Sequence, residues 1–399
     1  MNKGKGFNLI STIIIILVTA IVSGITTGVI MYNGYRQSTG LTYGEILNDP
    51  ALNEFLEVYA SILDDYYEDI DKTAMLEEAV AAMMNYLGDN YTTYLSEEET
   101  ESLAEKLAGE YKGIGVSIQN NTIIKVTKDS PAEKAGILAG DVILKINGED
   151  VSNYTDSKIA SMIKNTNAES VKIVVSRNNE ELSFELKMSK LYVPAIASEV
   201  IEANNKKVGY IYISTFSNTV AAQVEEQLKE FNNLDISSLI IDVRDNSGGY
   251  LNAASDVASL FLKKGATIYS LEDKNETETF VDETDAFQEY KTLVLINKNS
   301  ASASEILAAA LHDSYGAQLL GENSYGKGKV QQTVTLKDGS MVKYTSAKWL
   351  TPAGKCIDEI GLIPEYQIEN EYIYEDEEQK IIKEIIDKQL PKAVELLTE

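Results

Sequence analysis

The chain of 399 residues is long enough for two or three domains, and 44% of its residues are hydrophobic, as in ordinary globular proteins. Its 35 basic and 62 acidic residues give a formal net charge of −27, which argues against nucleic-acid binding because phosphates attract the opposite sign. One cysteine excludes an internal disulfide, and one cysteine with one histidine argues against a zinc site built from those ligands.

The first predicted element is a membrane anchor. Residues 7–32 contain no charge and are mostly apolar, and about 20 such residues span a bilayer. Lys3 and Lys5 precede the segment, which favours a cytoplasmic N-terminus, residues 1–6, and an extracytoplasmic remainder. A cleaved signal peptide is the alternative, but the apolar run is long and no A-x-A pattern closes it.

A helical region follows at residues 33–109. Apolar residues recur there at spacings of three and four, and Gly88-Asp89-Asn90 ends the second run. The two runs comprise Leu52, Phe55, Leu56, Tyr59, Ile62 and Leu63, then Leu76, Val80, Met83, Met84 and Leu87. Either core packing or a dimer contact explains such an apolar face.

Short strands and turns characterise the next segment. It contains G-I-G-V-S-I from residue 113, S-P-A-x-x-A-G-I from residue 130 and G-D-V-I-L-x-I-N-G from residue 140, in that order. Asn147-Gly148 is typical of a hairpin turn of the primed type. Residues 110–190 therefore resemble a PDZ domain.

The PDZ resemblance implies a groove for the C-terminal end of a peptide. Backbone N–H groups of the G-I-G-V loop would bind the terminal carboxylate, and a helix over residues 157–164 would form one wall. The peptide-binding residues implied are Ile114, Gly115, Val116 and Ile118, with Ala160 and Ile163 facing inwards from the helix.

The remaining chain alternates strands with helices, which predicts a layered α/β core. Residues 208–216 and 239–243 read as buried strands, and residues 220–231 and 253–262 as helices. The turn D-V-R-D-N-S-G-G, from residue 242, joins one such strand to a helix and has a purely structural explanation when read alone.

Three serines lie where a predicted strand, residues 292–296, turns into an Ala-rich helix, residues 305–311, in the sequence N-S-A-S-A-S-E-I. A helix N-terminus offers free N–H groups and the positive end of a dipole, so it suits a serine nucleophile. Ser302 followed by Glu305 also fits a capping box, and a serine at such a turn is usually a cap.

The base for such a serine must be sought outside the single histidine. His312 lies 312 − 302 = 10 residues beyond Ser302 on the same predicted helix, roughly 15 Å along its axis. A lysine, tyrosine or carboxylate must then serve, and Lys327 stands between two glycines with Gln331 four residues on. A phosphate-binding loop is excluded because Gly328 replaces the required hydroxyl and the next residues alternate like a strand.

Together, S-A-S-A-S-E-I and Y-G-K-G-K-V-Q resemble the signature of the C-terminal processing peptidases, Ser-Lys endopeptidases with a PDZ domain. The resemblance implies a ClpP/crotonase-like layered α/β peptidase core at residues 191–365 and no metal or organic cofactor. The roles implied are Ser302 as nucleophile, Lys327 as general base, Gln331 as its orienting group, and Gly248 and Ala303 as N–H donors to the oxyanion.

Two alternatives stay open from the residues. Ser304 and Lys329 have the same separation as Ser302 and Lys327, although Lys329 lacks two flanking glycines. A non-catalytic, membrane-anchored PDZ adaptor on a peptidase fold would use the same architecture, but it predicts a broken dyad.

Regulation and assembly complete the prediction. Many family members carry Arg-Gly at the end of the PDZ helix, and in some of them the arginine couples peptide binding to activation. This chain has Lys164-Asn165 there; lysine keeps the charge but loses the bidentate fork of arginine, so the resemblance does not carry this gating mechanism over and Lys164 is only a candidate for the regulatory role. Residues 366–399 are predicted to be a helical tail, because isoleucines after residue 380 fall on one helical face. We expect an anchored bacterial endopeptidase that cleaves extracytoplasmic proteins captured by their C-termini, with a homodimer through its helical regions as one explanation of their apolar faces.

Overall fold

The computed structural model describes residues 43–164, 170–376 and 381–399, which divide into one unit up to Met83 and a second from Met84 onwards. The helices are α1 (Tyr43–Leu47), α2 (Pro50–Asp65), α3 (Lys72–Tyr86), α4 (Glu97–Ala108), α5 (Pro131–Ala135), α6 (Asp156–Lys164), α7 (Val220–Asn232), α8 (Leu251–Ser259), α9 (Ala303–Ala310), which continues as a π-helix (Leu311–Tyr315), and α10 (Gln389–Thr398).

The strands are numbered along the chain. They are β1 (Thr93–Leu95), β2 (Glu110–Gly113), β3 (Val116–Gln119), β4 (Thr122–Val126), β5 (Val142–Ile146), β6 (Glu149–Asp150), β7 (Ser170–Arg177), β8 (Glu180–Lys187), β9 (Ser189–Tyr192), β10 (Ile196–Ala203), β11 (Lys206–Ile213), β12 (Ser238–Asp242), β13 (Thr267–Glu272), β14 (Thr277–Val281), β15 (Lys291–Ile296), β16 (Gln318–Gly321), β17 (Lys329–Thr335), β18 (Met341–Leu350), β19 (Tyr366–Gln367), β20 (Glu371–Asp376) and β21 (Ile381–Ile386).

The segment after residue 191 is built on a six-stranded sheet in the order β10-β11-β12-β15-β16-β19, parallel except for the β10–β11 pair. Alternate residues of its buried strands face opposite sides: Ile241 packs with α7, α8 and α9, whereas Ile240 packs with α10. Helices therefore cover both faces, which is the layered α/β core expected from the alternating pattern.

A second, antiparallel sheet has the order β1-β18-β13-β14, with β17 also paired to β18. Strand β17 contains Gln331 and follows Lys327 directly. Strand β1 lies inside the region predicted to be wholly helical, and its Thr93 pairs with Lys343 of β18. The end of the N-terminal region is thus part of the sheet that positions Gln331.

The PDZ segment forms its own sheet, β3-β4-β5-β7-β8, with β6 on β5 and a separate apolar core. Asn147 and Gly148 both have positive φ, 50° and 90°, so the predicted primed turn is present. Strands β2 and β9 pair where the chain enters and leaves this segment.

The prediction of a helical tail was wrong for its first half. Strands β20 and β21 form an antiparallel hairpin, in which Tyr372 pairs with Ile385. Isoleucine is β-branched and favours a strand once a partner strand is available, which the helical spacing alone does not reveal. Within the described part of the tail, the helix is α10, which packs on the core sheet through Ala393 and Leu397.

The predicted anchor, residues 7–32, lies outside the described residues. Among the residues that are described, none of the helices combines the length and apolar character that crossing a membrane requires.

Candidate active site

Ser302 occupies the turn between β15 and α9 with φ 57° and ψ −117°. A non-glycine residue at such angles is strained and persists only where its surroundings hold it. Here the Ser302 N–H donates to Oε2 of Glu305 at 2.8 Å, and the Ser302 carbonyl accepts from the Glu305 N–H at 2.8 Å. The turn directs Ser302 into a cleft, as a strained strand-to-helix elbow does for a serine nucleophile.

The three serines of the turn have different environments. Ser300 and Ser304 are fully buried, and their hydroxyls donate to the carbonyls of Val243 and Asn246, each at 2.8 Å. Ser302 is half-buried and lines the cleft. The hydroxyl of Ser304 is therefore enclosed and already engaged, which speaks against the alternative nucleophile.

Lys327 lines the same cleft, partly buried, with Nζ 4.9 Å from the centre of the Tyr91 ring. Burial lowers the pKa of Lys327, and the positive charge of Lys343 lowers it further, against opposing effects from Glu305 and Asp89. Both causes favour the neutral amine that can act as a base.

Lys329, the alternative base, is engaged in two ion pairs. Its Nζ lies 3.7 Å from Asp89 and 3.8 Å from Asp358. The amine is therefore already held by two carboxylates, which speaks against its assignment as the base.

Glycines on both sides of Lys327 allow the backbone to approach its neighbours. A Cβ on Gly326, which has φ 85°, would lie 2.9 Å from the nitrogen of Ile360, and one on Gly328 would lie 2.7 Å from the nitrogen of Asp358. Larger residues would displace the loop. The sequence interpretation of the G-K-G motif is thus in accord with the packing.

A buried carboxylate connects the loops of Ser302 and Lys327. Oε1 of Glu305 accepts from Ser324 Oγ at 2.5 Å and from the Gly326 N–H at 2.7 Å, and Oε2 accepts from the Ser302 N–H and, at 3.0 Å, the Lys327 N–H. Burial raises the pKa of Glu305, and the four hydrogen bonds oppose that rise. Sequence analysis assigned Glu305 only to a helix cap, although its position in the S-A-S-A-S-E motif was a signal.

Gln331 lines the cleft with Ser302 and Lys327, but its side chain forms a hydrogen bond with neither of them in the described part of the chain. Its Nε2 donates to Oγ1 of Thr345 at 3.3 Å. Among the described residues, Lys327 Nζ makes no hydrogen bond with Ser302 or Gln331. The cleft, about 550 Å³ in volume, thus brings the three predicted residues together without closing contacts between them.

Gly248 and Ala303 are adjacent beside Ser302. A Cβ on Gly248 would lie 3.0 Å from Ser302 Cβ and 3.1 Å from the Ala303 nitrogen, so only glycine fits here, at φ 106°. Ala303 begins α9, where N–H groups lack helical partners. The Gly248 N–H, however, donates to Oδ1 of buried Asn246 at 2.9 Å, a bond that the sequence analysis did not foresee.

In the PDZ segment, the G-I-G-V loop packs tightly. A Cβ on Gly115, at φ 87°, would lie 2.2 Å from Ser130 Cβ. The carbonyls of Ile114 and Gly115 accept from Ala132 and Thr127, whereas their N–H groups make no hydrogen bond within the described part of the chain. This arrangement leaves donors for a ligand.

The PDZ helix α6 differs in part from expectation. Ile163 is buried in the PDZ core with Ile118 packed against that core, whereas Ala160 is exposed. The buried positions of α6 are Ile159 and Ile163, which are one helical turn apart. Lys164 forms ion pairs with Glu101 and Glu105 of α4, at 3.3 and 3.1 Å.

His312 lies on the π-helix that continues α9. Its ring nitrogens lie 2.6 Å from Asp313 and 2.6 Å from Glu365. Burial lowers the pKa of His312, but the two carboxylates outweigh burial and raise it overall. It does not line the cleft, in keeping with its exclusion as the base.

Comparisons with known proteins agree with this architecture. Residues 207–368 match Peptidase family S41, residues 122–177 match a PDZ domain, and residues 35–100 match the N-terminal domain of the activating protease CtpB. The photosystem II D1 C-terminal processing protease is 25% identical, with a TM-score of 0.48 over 79% of this chain and 86% of that one.

Two curated bacterial relatives are similar over most of the chain. A probable CtpA-like serine protease of Staphylococcus aureus (strain MSSA476) is 34% identical over 362 residues, covering 89% of this chain and 71% of the relative. One of Staphylococcus haemolyticus (strain JCSC1435) is 32% identical over 375 residues, covering 92% and 74%. This identity agrees with the S41 and PDZ matches and with the cleft that holds a serine and a lysine. The chain therefore belongs to peptidase family S41, as a serine protease of the C-terminal processing type.

Proposed function

We propose that Ser302 and Lys327 form the catalytic dyad of this serine protease. One observation carries the proposal: of three neighbouring serines, Ser302 alone lines the cleft that also holds a partly buried lysine of lowered pKa. Ser300 and Ser304 are fully buried and donate to backbone carbonyls. The arrangement suits a serine activated by a neutral amine rather than by histidine.

In the proposed reaction, Oγ of Ser302 attacks the substrate carbonyl and neutral Lys327 takes its proton. The same proton then passes to the leaving amine, and water hydrolyses the acyl-enzyme in a second, equivalent step. Lys327 reaches Ser302 by rotation about the bonds of its flexible side chain. Gln331 then holds the amine by accepting a hydrogen bond from it.

The oxyanion is bound by the N–H groups of Ala303 and Gly248. Ala303 supplies a donor at the start of α9, where the helix dipole also favours negative charge. The Gly248 N–H exchanges its bond with Asn246 for one to the oxyanion when substrate is present.

Substrate capture is assigned to the PDZ segment, residues 110–190, which presents a protein C-terminus to the core, residues 191–365. The backbone N–H groups of Ile114, Gly115 and Val116 bind the terminal carboxylate, and apolar residues at Ile118 and Ile163 border the groove. Lys164 links this helix to α4 and is the residue through which peptide binding would regulate activity.

The protein is further proposed to be a single-pass membrane protein with its catalytic part outside the cytoplasm. The uncharged apolar segment at residues 7–32, preceded by Lys3 and Lys5, supports that orientation. A homodimer is supported by exposed apolar side chains on α2, among them Phe55 and Leu56.

The assignment is tested with the full chain in detergent and an unfolded protein substrate that carries an apolar C-terminal tail. We expect Ser302→Ala and Lys327→Ala each to abolish cleavage, and Ser302→Ala to bind the tail peptide with unchanged affinity. Ser304→Ala is the matched control and should keep activity within about tenfold, since its hydroxyl contributes only a buried hydrogen bond. Cleavage retained by Ser302→Ala would contradict the assignment.

A further inference from the structure

The connection between α3 and β1, residues 87–92, contacts strand β18 and the side chain of Lys327. Oδ2 of Asp89 accepts from Thr92 Oγ1 at 2.7 Å and from Thr345 Oγ1 of β18 at 2.5 Å. The Thr345 N–H also donates to Thr92 Oγ1 at 3.1 Å. Asp89 is largely buried, its side chain being 16% exposed, so these bonds are protected from water.

The groups in this chain of hydrogen bonds determine which atom donates and which accepts in each bond. A carboxylate only accepts, so the Thr345 hydroxyl must give its proton to Asp89. Thr345 Oγ1 then acts as acceptor towards Gln331, 3.3 Å away, and the atom of Gln331 that faces it must be the donating Nε2. The amide of Gln331 is therefore oriented by Asp89 through Thr345, and its Oε1 is left to accept a proton from another group.

The same connection supports the lysine. The ring of Tyr91 lies beneath Nζ of Lys327, 4.9 Å from its centroid, and near Nζ of Lys329 at 5.7 Å. An aromatic face attracts a cation without taking its proton. Burial, and then a hydrogen bond with Tyr325, raise the pKa of Tyr91 to about 12, so the phenol stays neutral.

We infer that residues 89–92 are part of the catalytic apparatus: Asp89, acting through Thr345, holds the Gln331 amide with its oxygen towards the base, and Tyr91 seats Lys327. The inference rests on the proposed dyad and deepens it. Asp89, Tyr91 and Thr345 are positioning residues, since they act through Lys327 and Gln331. Residues 89–92 thus complete the active site.

The consequence for catalysis follows from the proton's path. When Lys327 has taken the proton from Ser302, its ammonium donates to Oε1 of Gln331. Without Thr345 as acceptor for Nε2, the amide is free to turn its NH2 group towards the ammonium, which repels it. Proton transfer then becomes less favourable, while the surface that binds substrate stays unchanged.

Thr345→Val tests the relay, because valine keeps the shape and loses the hydroxyl. We expect kcat to fall about 10- to 100-fold with KM unchanged, in the range of a lost acid–base positioning contact. The acid limb of the kcat profile should move about one unit to lower pH, because the ammonium loses a stabilising acceptor and its pKa falls. Thr345→Ser should restore kcat to within about threefold, since serine supplies the same hydroxyl.

The matched control is Ser346→Ala, which removes the neighbouring hydroxyl of β18, at the register shift between β17 and β18, and should leave kcat near the parent value. A second pair tests the seat of the lysine independently of the relay: Tyr91→Leu removes the ring and should lower kcat about tenfold, whereas Tyr91→Phe keeps the ring and should lower kcat by a smaller factor. If Thr345→Val does not fold, the two Tyr91 variants still test the inference.

Each outcome has a distinct meaning when the full chain is used. A Thr345→Val enzyme with parental kcat and pH profile, a Thr345→Ser enzyme as impaired as the valine variant, or a Tyr91→Leu enzyme equal to Tyr91→Phe would overturn the inference alone. A parent that does not cleave, or cleavage retained by Ser302→Ala, would instead overturn the proposed dyad and the inference with it.

Discussion

Glu305→Gln perturbs a buried side chain that holds the loops of Ser302 and Lys327 together. Its carboxylate accepts four hydrogen bonds, two on each oxygen, from Ser324, Gly326, Ser302 and Lys327. A glutamine of the same shape keeps one accepting oxygen and turns an NH2 group towards the other pair of donors. The better orientation places this NH2 at Ser324, whose hydroxyl is able to accept, and leaves the Gly326 N–H unpaired.

The expected loss can be worked from these contacts. A buried donor without an acceptor costs about 1–3 kcal/mol, and a hydrogen bond to a charged group contributes about 1.5–3 kcal/mol. One orphaned donor and one weakened bond give roughly 2–5 kcal/mol in the free energy of unfolding. At about 2–4 °C per kcal/mol, Tm should fall by roughly 4–20 °C. A shift of about 1 Å between Ser302 and Lys327 should lower kcat about 100-fold.

The assay combines urea unfolding with kcat for the parent, Glu305→Gln and the exposed control Glu289→Gln. The control should match the parent in both measurements, since Glu289 is exposed. Unchanged stability in Glu305→Gln would refute the hydrogen-bond accounting. Lowered stability with parental kcat, measured well below Tm, would refute the claim that this carboxylate aligns the two loops.

Two further predictions concern pH. Lys343→Met removes a positive charge that lowers the pKa of Lys327, so that pKa should rise and the acid limb of kcat should move to higher pH, by about one unit. His312→Gln removes an imidazole whose pKa two carboxylates raise. That contribution is fully present below the ordinary pKa of about 6.5 and is lost as pH rises through the raised value. The variant should therefore lose roughly 1 kcal/mol at pH 6, a figure discounted for a side chain more than a third exposed, and less at high pH.

Controls for both lie close by. Lys348→Met removes an exposed lysine of the same strand as Lys343 and should leave the pH profile unchanged. An identical profile for Lys343→Met and Lys348→Met would show that charge near Lys327 does not set its basicity. For His312, a difference in unfolding free energy from the parent that does not vary between pH 6 and pH 9 would contradict an electrostatic role.

The elements around the cleft were predictable where residues close together in the sequence determine the local conformation. The strand before Ser302 and the helix after it follow from a β-branched run and an Ala-rich run, both observed as β15 and α9. The primed turn at Asn147-Gly148 is equally local, since two residues fix its geometry. Local chemistry decides these elements, so spacing reveals them.

Elements that depend on a residue or strand far away in the sequence were missed, because the local pattern carries no information about that contact. Asp89 and Thr345 are separated by 256 positions in the chain, and no periodicity connects them. Strand β1 has three residues and exists because β18 offers it an edge. The isoleucines of β21 fit a helical face in sequence, yet they pair with β20. Pairing across the chain overrides local pattern in each case.

The choice of nucleophile depends on burial and hydrogen bonding, because sequence spacing does not distinguish the candidates. Ser302 and Lys327 are 327 − 302 = 25 residues apart, and Ser304 and Lys329 are 329 − 304 = 25 apart, so separation cannot distinguish them. The structure separates the pairs by what each side chain already does: Ser304 donates to a carbonyl and Lys329 faces two carboxylates. A nucleophile needs an uncommitted hydroxyl, and a lysine base needs a low pKa. Ser302 lines the cleft and the pKa of Lys327 is lowered, and this supports their assignment independently of the family motif.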